Sequence, residues 1–82
     1  MKANRVPDSV KPYRLKSGEY NRNYGKPPDT TLIANLMGHD VEVNEDGTLT
    51  FSPSIKIWDG ITSWHGYLEN GIWKDENRKP IK

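Results

Sequence analysis

Hydrophobic and polar residues alternate with a period of two along much of the second half of the chain, which predicts β-strands with one buried face. In residues 40–52 the alternation flanks the turn sequence Glu45-Asp46-Gly47 and includes four apolar residues: Val41, Val43, Leu49 and Phe51. A three-residue loop pairs Val43 with Leu49 and keeps these side chains on one face, whereas a two-residue loop would not. We therefore expect a three-residue hairpin loop with Gly47 in the left-handed conformation.

A second hairpin is predicted around the turn Asp59-Gly60. Pro53 cannot donate a backbone hydrogen bond, so the preceding strand should break there. A two-residue Asp-Gly loop pairs Trp58 with Ile61. This register divides the apolar residues between opposite faces of the sheet, with Ile55, Ile57 and Trp64 on one face and Trp58, Ile61 and His65 on the other.

The next turn, Glu69-Asn70-Gly71, is compatible with two registers. A two-residue Asn-Gly loop pairs Leu68 with Trp73, and a three-residue loop pairs Tyr67 with Trp73. In both registers Tyr67 lies on the face of Trp58, so the meander is apolar on both sides. One side should pack on the rest of the domain, and the other either receives a helix or is exposed as a binding patch.

Residues 30–37 are compatible with a short helix or with an edge strand. Asp29 or Thr30 is a suitable N-cap, and Gly38 is a suitable residue just past a helix end. The apolar residues of the segment share one helical face: Leu32, Ile33, Leu36 and Met37. The run from Thr30 to Ile33 is instead typical of a strand. We expect the helix and keep the edge strand as the alternative.

Residues 1–28 show neither helical nor strand periodicity. They contain four prolines and two glycines, and their apolar residues are scattered. Such a segment buries too little apolar surface to offset the entropy lost on ordering. We therefore predict a flexible basic arm (1–28), a small antiparallel β domain (29–77) and a tail (78–82). The fold class is mainly β, a small α+β protein with a meander of four to five strands.

Composition restricts the class of protein. Eighty-two residues form at most one domain, only 33% are hydrophobic, and the mean hydropathy is −0.90. No apolar run approaches the ~20 residues of a membrane span, and none resembles that of a signal peptide. The chain has no cysteine, which excludes disulfides and thiolate metal sites. We expect a cytoplasmic protein with no membrane partner and no cofactor.

The net charge of +1 conceals an uneven distribution of charge. Residues 1–29 carry seven basic and three acidic groups, whereas residues 30–82 carry five basic and eight acidic groups. The basic segment also contains tyrosines and asparagines, a mixture suited to phosphate contacts and base stacking, although the acidic remainder would repel a nucleic acid. The candidate nucleic-acid-binding residues are Arg5, Lys11, Arg14, Lys16, Arg22 and Lys26.

His65 is the strongest candidate for chemistry, because a histidine can act as an acid, a base or a ligand. No nucleophile elbow or phosphate loop accompanies it, and a hydrogen bond to the segment Ser52-Pro53-Ser54 is the simpler interpretation. His39 and Asp40 lack the spacing of zinc ligands, so we expect no metal site. A small hydrolase-like enzyme that uses His65 is the third functional hypothesis.

The motifs "GTLTFSPSI" and "WHGYLENGI" lie on the predicted hairpins. They resemble an uncharacterised domain family of small phage and prophage proteins, with relatives beside bacterial ubiquitin-like gene clusters. Many relatives carry cysteines that suggest a metal site, and this chain has none. The resemblance covers roughly residues 41–73 and implies a phage or mobile-element origin. The matching residues are Gly47, Phe51, Ser52, Pro53, Ser54, Ile55, Trp64, His65, Gly66, Tyr67 and Gly71.

These features predict a small phage-type accessory protein that binds and modulates a host protein without catalysis, in the cytoplasm of an infected or lysogenic bacterium. Tryptophan and tyrosine dominate the energetics of protein interfaces, so the aromatic face would supply the anchors. The predicted protein-binding residues are Trp58, Ile61, His65, Tyr67 and Trp73. A nucleic-acid-binding module that uses the basic arm is the alternative.

Overall fold

The structure is a computed structural model that describes residues 1–81 of the chain. The described residues are mainly β, which confirms the predicted fold class. They form nine strands: β1 (Asn4–Arg5), β2 (Glu19–Tyr20), β3 (Tyr24–Gly25), β4 (Ala34–Asn35), β5 (Asp40–Val43), β6 (Leu49–Ser52), β7 (Ile55–Trp58), β8 (Ser63–Glu69) and β9 (Ile72–Asp75). The strands make three sheets, with the orders β1-β2-β3-β4, β5-β6 and β7-β8-β9. No helix in this part of the chain has the length and apolar character needed to cross a membrane.

The β5–β6 hairpin has the predicted register. Val43 lies opposite Leu49, and Gly47 has a φ of +84°, which is the left-handed conformation that the three-residue loop requires. Asp46 closes the loop by accepting hydrogen bonds from the hydroxyl and the backbone N–H of Thr48, at 2.6 and 3.0 Å. These two hydrogen bonds, the hydroxyl bond first, lower the pKa of Asp46 below its ordinary value of 3.8. Strand β6 ends before Pro53, as predicted.

The β7–β8 hairpin has a four-residue loop in place of the predicted two-residue loop. Trp58 lies opposite Ser63, so the pairing of Trp58 with Ile61 is wrong by two positions. The carboxylate of Asp59 accepts the backbone N–H groups of Ile61 and Thr62 at 2.9 and 2.7 Å, and these bonds hold the wider loop. The same bonds, Thr62 first, lower the pKa of Asp59. Because the shift is even, the side chains on the two strands keep their predicted faces, whereas Ile61 lies in the loop between them.

The β8–β9 hairpin takes the first of its two predicted registers. Leu68 lies opposite Trp73, across a two-residue loop. Asn70 and Gly71 both have positive φ, at 51° and 71°, which is the backbone that a tight Asn-Gly hairpin turn requires. The side chains of Leu68 and Trp73 are fully buried on the inner face of this sheet.

The first 28 residues differ from the predicted flexible arm because they supply strands β1, β2 and β3 of a four-stranded sheet. Tyr20 is fully buried in the core, where its hydroxyl accepts the backbone N–H of Leu49 at 3.1 Å. The buried amide of Asn21 donates to the carbonyls of Pro7 and Val10. Strand β1 has no buried residue, and β2 and β3 have one each, Tyr20 and Gly25, so no periodicity appears in the sequence. The predicted boundary at residue 28 therefore falls inside one continuous structure.

Residues 30–37 do not form the predicted helix. Leu32, Ala34 and Leu36 are buried at alternate positions, which is the period of a strand, and Met37 is exposed. Ala34 and Asn35 form the edge strand β4, which pairs with β3. The edge-strand alternative is therefore confirmed, although the strand is only two residues long. The only helical turn among the described residues is a 3-10 turn at Pro12–Arg14. The alternation is not visible when only large apolar residues are counted, because the middle buried residue, Ala34, is small.

The core joins all three sheets around Trp73. Its indole contacts the rings of Tyr20 and Trp64 edge-on, at centroid distances of 6.5 and 5.9 Å. A Cβ added at Gly25 would lie 3.0 Å from the Trp73 ring, so this glycine permits the close approach of β3. The predicted tail also packs, because Ile81 donates its backbone N–H to Trp73; Lys82 lies outside the described residues.

We expect Tyr20→Phe to lower the free energy of unfolding by about 1–3 kcal/mol, because the buried N–H of Leu49 loses its acceptor. Tyr13→Phe is the matched control, since the Tyr13 side chain is 74% exposed, and should change stability by less than about 0.5 kcal/mol. Urea denaturation measures both variants. Equal stability of the two variants would show that residues 1–28 do not pack on the core as described.

Candidate functional site

The outer face of the β7-β8-β9 sheet, together with the β7–β8 loop, carries four of the five predicted protein-binding residues. Trp58 and Ile61 are 76% and 95% exposed, and His65 and Tyr67 are partly buried. The His65 and Tyr67 rings lie 6.0 Å apart along β8. We call these four residues the outer patch. Single apolar residues are common on protein surfaces, but a tryptophan and an isoleucine at one hairpin tip form a more unusual feature.

Trp73, the fifth predicted binding residue, does not belong to the outer patch. Its side chain is fully buried and its indole N–H donates to the carbonyl of Gly18 at 2.9 Å. In the observed register Trp73 lies opposite Leu68, which places it on the inner face. Trp73 is therefore a core residue, and its inclusion in the binding set was wrong.

His65 lies at the centre of the outer face. Its Nδ1 is 3.8 Å from a carboxylate oxygen of Glu76, and its Nε2 is buried with no hydrogen-bond partner among residues 1–81. The predicted hydrogen bond to the Ser-Pro-Ser segment is made by the other histidine, because Nε2 of His39 lies 3.3 Å from the carbonyl oxygen of Ser54. The histidine in the motif therefore faces an acidic residue on the β9 side.

Two surface cavities flank His65. One, of about 300 Å³, lies on the β7 side and is lined by Lys56, Ile57, Trp58, Ser63, Trp64 and His65. The other, of about 310 Å³, lies on the β9 side and is lined by Asp29, Ser63, Trp64, His65, Asp75 and Glu76. The first cavity adjoins the exposed tryptophan, whereas the second is rich in carboxylates. The outer patch thus has an apolar side and an acidic side.

His65 places an imidazole beside the carboxylate of Glu76. A general base needs a proton donor within hydrogen-bond reach, and Ser63, which lines both cavities, makes no hydrogen bond to His65 in the described part of the chain. No cluster of three or more His, Asp or Glu side chains suited to a metal ion occurs within residues 1–81.

The β9 end of the outer patch is bordered by residues that the sequence pattern did not single out. The Arg78 guanidinium lies 4.5 Å from the centroid of the Tyr67 ring and 3.4 Å from a carboxylate oxygen of Glu69. Lys74 also contacts Glu69, at 3.3 Å. The turn after β9 brings Arg78 back over the sheet, because Asp75 accepts the backbone N–H groups of Asn77 and Lys79. The hydrophobic and polar pattern of the sequence does not reveal that Arg78 lies beside Tyr67, because this contact depends on the turn that follows β9.

The predicted nucleic-acid-binding residues are distributed over the first three strands and their connections. Arg5 donates from its guanidinium to the carbonyl of Gly47, and Lys26 is partly buried. Lys11 and Arg14 flank the exposed ring of Tyr13 on the 3-10 turn, with the Arg14 guanidinium 5.9 Å from the ring centroid. Three exposed groups, a ring and two cations, therefore lie together at this turn, whereas Lys16 and Arg22 are exposed elsewhere.

No family model, curated protein or solved structure matches the chain. The relation to the phage family remains a prediction that rests on the two motifs.

We expect Trp58→Ala and Trp64→Ala to have very different effects on stability. Trp64 is 8% exposed and packs on Trp73, so its truncation should cost about 3–5 kcal/mol. Trp58 is 76% exposed, and its truncation should cost less than about 1 kcal/mol. Thermal melts followed by circular dichroism measure both changes. If the two variants lose similar stability, both faces of the sheet are core and the outer patch is structural.

Proposed function

We propose that this protein is a small accessory protein, of the kind that phages encode, which binds and modulates a protein of its bacterial host without catalysing a reaction. The observation that carries the proposal is the exposure of Trp58 and Ile61 at one hairpin tip, while the two other tryptophans are buried. The phage and host assignment draws its support from the resemblance of residues 41–73, and a location in the bacterial cytoplasm is part of the same proposal.

The hairpin tip offers a partner two large apolar side chains, Trp58 and Ile61. Burying one large apolar side chain is worth roughly 1.5–3 kcal/mol, and a tryptophan anchor in a partner's pocket often contributes more than about 2 kcal/mol. Trp58 and Ile61 together can therefore supply a substantial part of a micromolar affinity. The adjoining cavity beside Trp58 would accept a side chain of the partner.

The test is capture of a host protein from bacterial lysate on the immobilised chain, with affinity then measured for the captured protein. The double variant Trp58→Ala/Ile61→Ser should weaken binding by at least about thirtyfold, as expected for loss of an anchor. Tyr13→Ala is the matched control, because Tyr13 is 74% exposed at a different site. Equal loss from both variants, or no loss from either, would refute binding through the hairpin tip.

Nucleic-acid binding is the second candidate, and the cluster at the 3-10 turn favours it. An exposed tyrosine can stack on a base while Lys11 and Arg14 contact phosphates. Affinity for single-stranded DNA or RNA would then fall steeply with salt, by a slope of about 0.7 per phosphate contacted. We expect Tyr13→Ala to reduce such binding and Trp58→Ala to leave it unchanged, as measured by fluorescence anisotropy. Binding that is absent even at low salt would exclude this candidate.

A further inference from the structure

Strand β7 lies at the edge of its sheet, and its outer side pairs with no strand among residues 1–81. The backbone N–H of Asp59 donates to the carbonyl of Thr62 at 3.2 Å. Hydrogen-bonded positions alternate along an antiparallel pair, so Ile57 bonds to β8. The backbone groups of Lys56 and Trp58 consequently point away from β8. The outer side of β7 therefore presents two N–H donors and two carbonyl acceptors that no described backbone group satisfies.

We propose that β7 pairs with β7 of a second copy of this chain, antiparallel about a two-fold axis at Ile57, to form a continuous six-stranded sheet. In this register Lys56 lies opposite Trp58 of the second copy, and the two residues exchange both of their backbone hydrogen bonds. The symmetry repeats the exchange, so four hydrogen bonds form. Every outward backbone group of Lys56 and Trp58 then has a partner.

The side chains of β7 are also complementary to themselves in this register. Lys56 and Trp58 lie on the same outer face, and both are exposed. Directly opposed side chains in an antiparallel pair have Cβ atoms about 4.5–5.5 Å apart, within reach of an ammonium group and an indole ring. The two copies of Ile57, which is partly buried against the core, meet across the axis. Two lysine–tryptophan contacts and one apolar contact therefore accompany the four hydrogen bonds.

Strand β5, an edge of the two-stranded sheet, lacks this self-complementarity. Asn44 donates its backbone N–H to Thr48, so the backbone groups of Val41 and Val43 point outward from β5. The equivalent two-fold pairing of β5 would place Glu42 opposite Glu42 of the second copy. Like charges directly opposite each other destabilise a strand pair, and such charges protect edges from association. The outer side of β9 is covered, since Ile72 bridges Lys2 and Lys74 bridges Pro80.

The proposed pairing involves only three residues per strand, so it stops short of Ser54, whose carbonyl contacts His39. The interface is small and the dimer is accordingly weak, with a dissociation constant on the order of 100 μM. Ile61 at the hairpin tip and Tyr67 lie outside the paired residues. Trp58 belongs both to the paired strand and to the outer patch, so a host protein that buries Trp58 would compete with the dimer contact, and the dimer is therefore measured on the protein alone.

Sedimentation equilibrium at loading concentrations from about 10 μM to 1 mM tests the dimer directly, because this range spans the expected dissociation constant. The average mass should rise from 9.4 kDa toward twice that value. Amide hydrogen exchange adds a readout at residue level. The amides of Lys56 and Trp58 should become protected as concentration rises, whereas those of Val41 and Val43 should not. A constant mass, or protection at both edges alike, would overturn the proposal.

A pair of charge reversals separates the proposed contact from general charge effects. Lys56→Glu should weaken the dimer roughly tenfold, because both lysine–tryptophan contacts are lost. Glu42→Lys reverses the charge of a residue that is also exposed, on strand β5, and should leave the dissociation constant within about twofold, since charges away from the interface act weakly in salt. Circular dichroism verifies that both variants fold. Equal weakening by the two reversals would assign any association to charge alone and refute the strand pairing.

Discussion

The structure depends on the burial of Trp73. Its indole packs edge-on against Tyr20 and Trp64, and its N–H donates to the carbonyl of Gly18. Its backbone N–H donates to the carbonyl of Met1, and its carbonyl accepts the backbone N–H of Ile81. Trp73 therefore links residues near both ends of the chain, Met1 and Ile81, to the β7-β8-β9 sheet. The strands are only two to seven residues long, so no single sheet could form a hydrophobic core by itself.

This organisation explains why a very polar chain of 82 residues can order its first 28 residues. Small domains bury a limited fraction of their surface, so each buried side chain contributes to several contacts. Tyr20 contacts Phe51 and Trp73 and also accepts a hydrogen bond from Leu49. Burying that aromatic ring and satisfying its hydroxyl together offset the ordering of a segment with little other apolar surface. The basic segment is thus part of the core that positions the hairpins.

The division of the tryptophans between the two faces of one sheet connects the fold to the proposed function. Trp64 and Trp73 stabilise the inner face, which leaves Trp58 on the outer face without a described aromatic neighbour in ring contact. His65 and Tyr67 continue that outer face, and Arg78 and Glu76 border it on the β9 side. The sheet therefore separates a stabilising set of aromatic residues from a set available for contacts. Strand β7, which carries Trp58, is also an edge of this sheet, and its outer side pairs with no strand among residues 1–81.

The local sequence determined the strands of the second half and the faces of their side chains. Turn chemistry at Gly47 and the two-residue alternation gave the β5–β6 register, because both signals are local. The placement of Trp58 and Trp64 on opposite faces was also predictable, because side chains alternate along a strand and a register error of two residues leaves each strand residue on the same face. The length of the loop after Asp59 was not predictable. The Asp-Gly sequence is typical of a two-residue loop, but the carboxylate of Asp59 accepts the backbone N–H groups of Ile61 and Thr62 and so stabilises a four-residue loop.

Only the tertiary structure decided the rest. Strands β1, β2 and β3 are two residues long, so their order comes from contacts with distant residues such as Leu49 and Trp73, which no local period records. The segment around Ala34 became a strand because β3 offered it an edge, although its leucines fit a helical face equally well. Trp73 was assigned to the core by its register opposite Leu68, and Arg78 reached Tyr67 through a turn. Non-local pairing determined these features because each short element gains its stability from residues far along the chain.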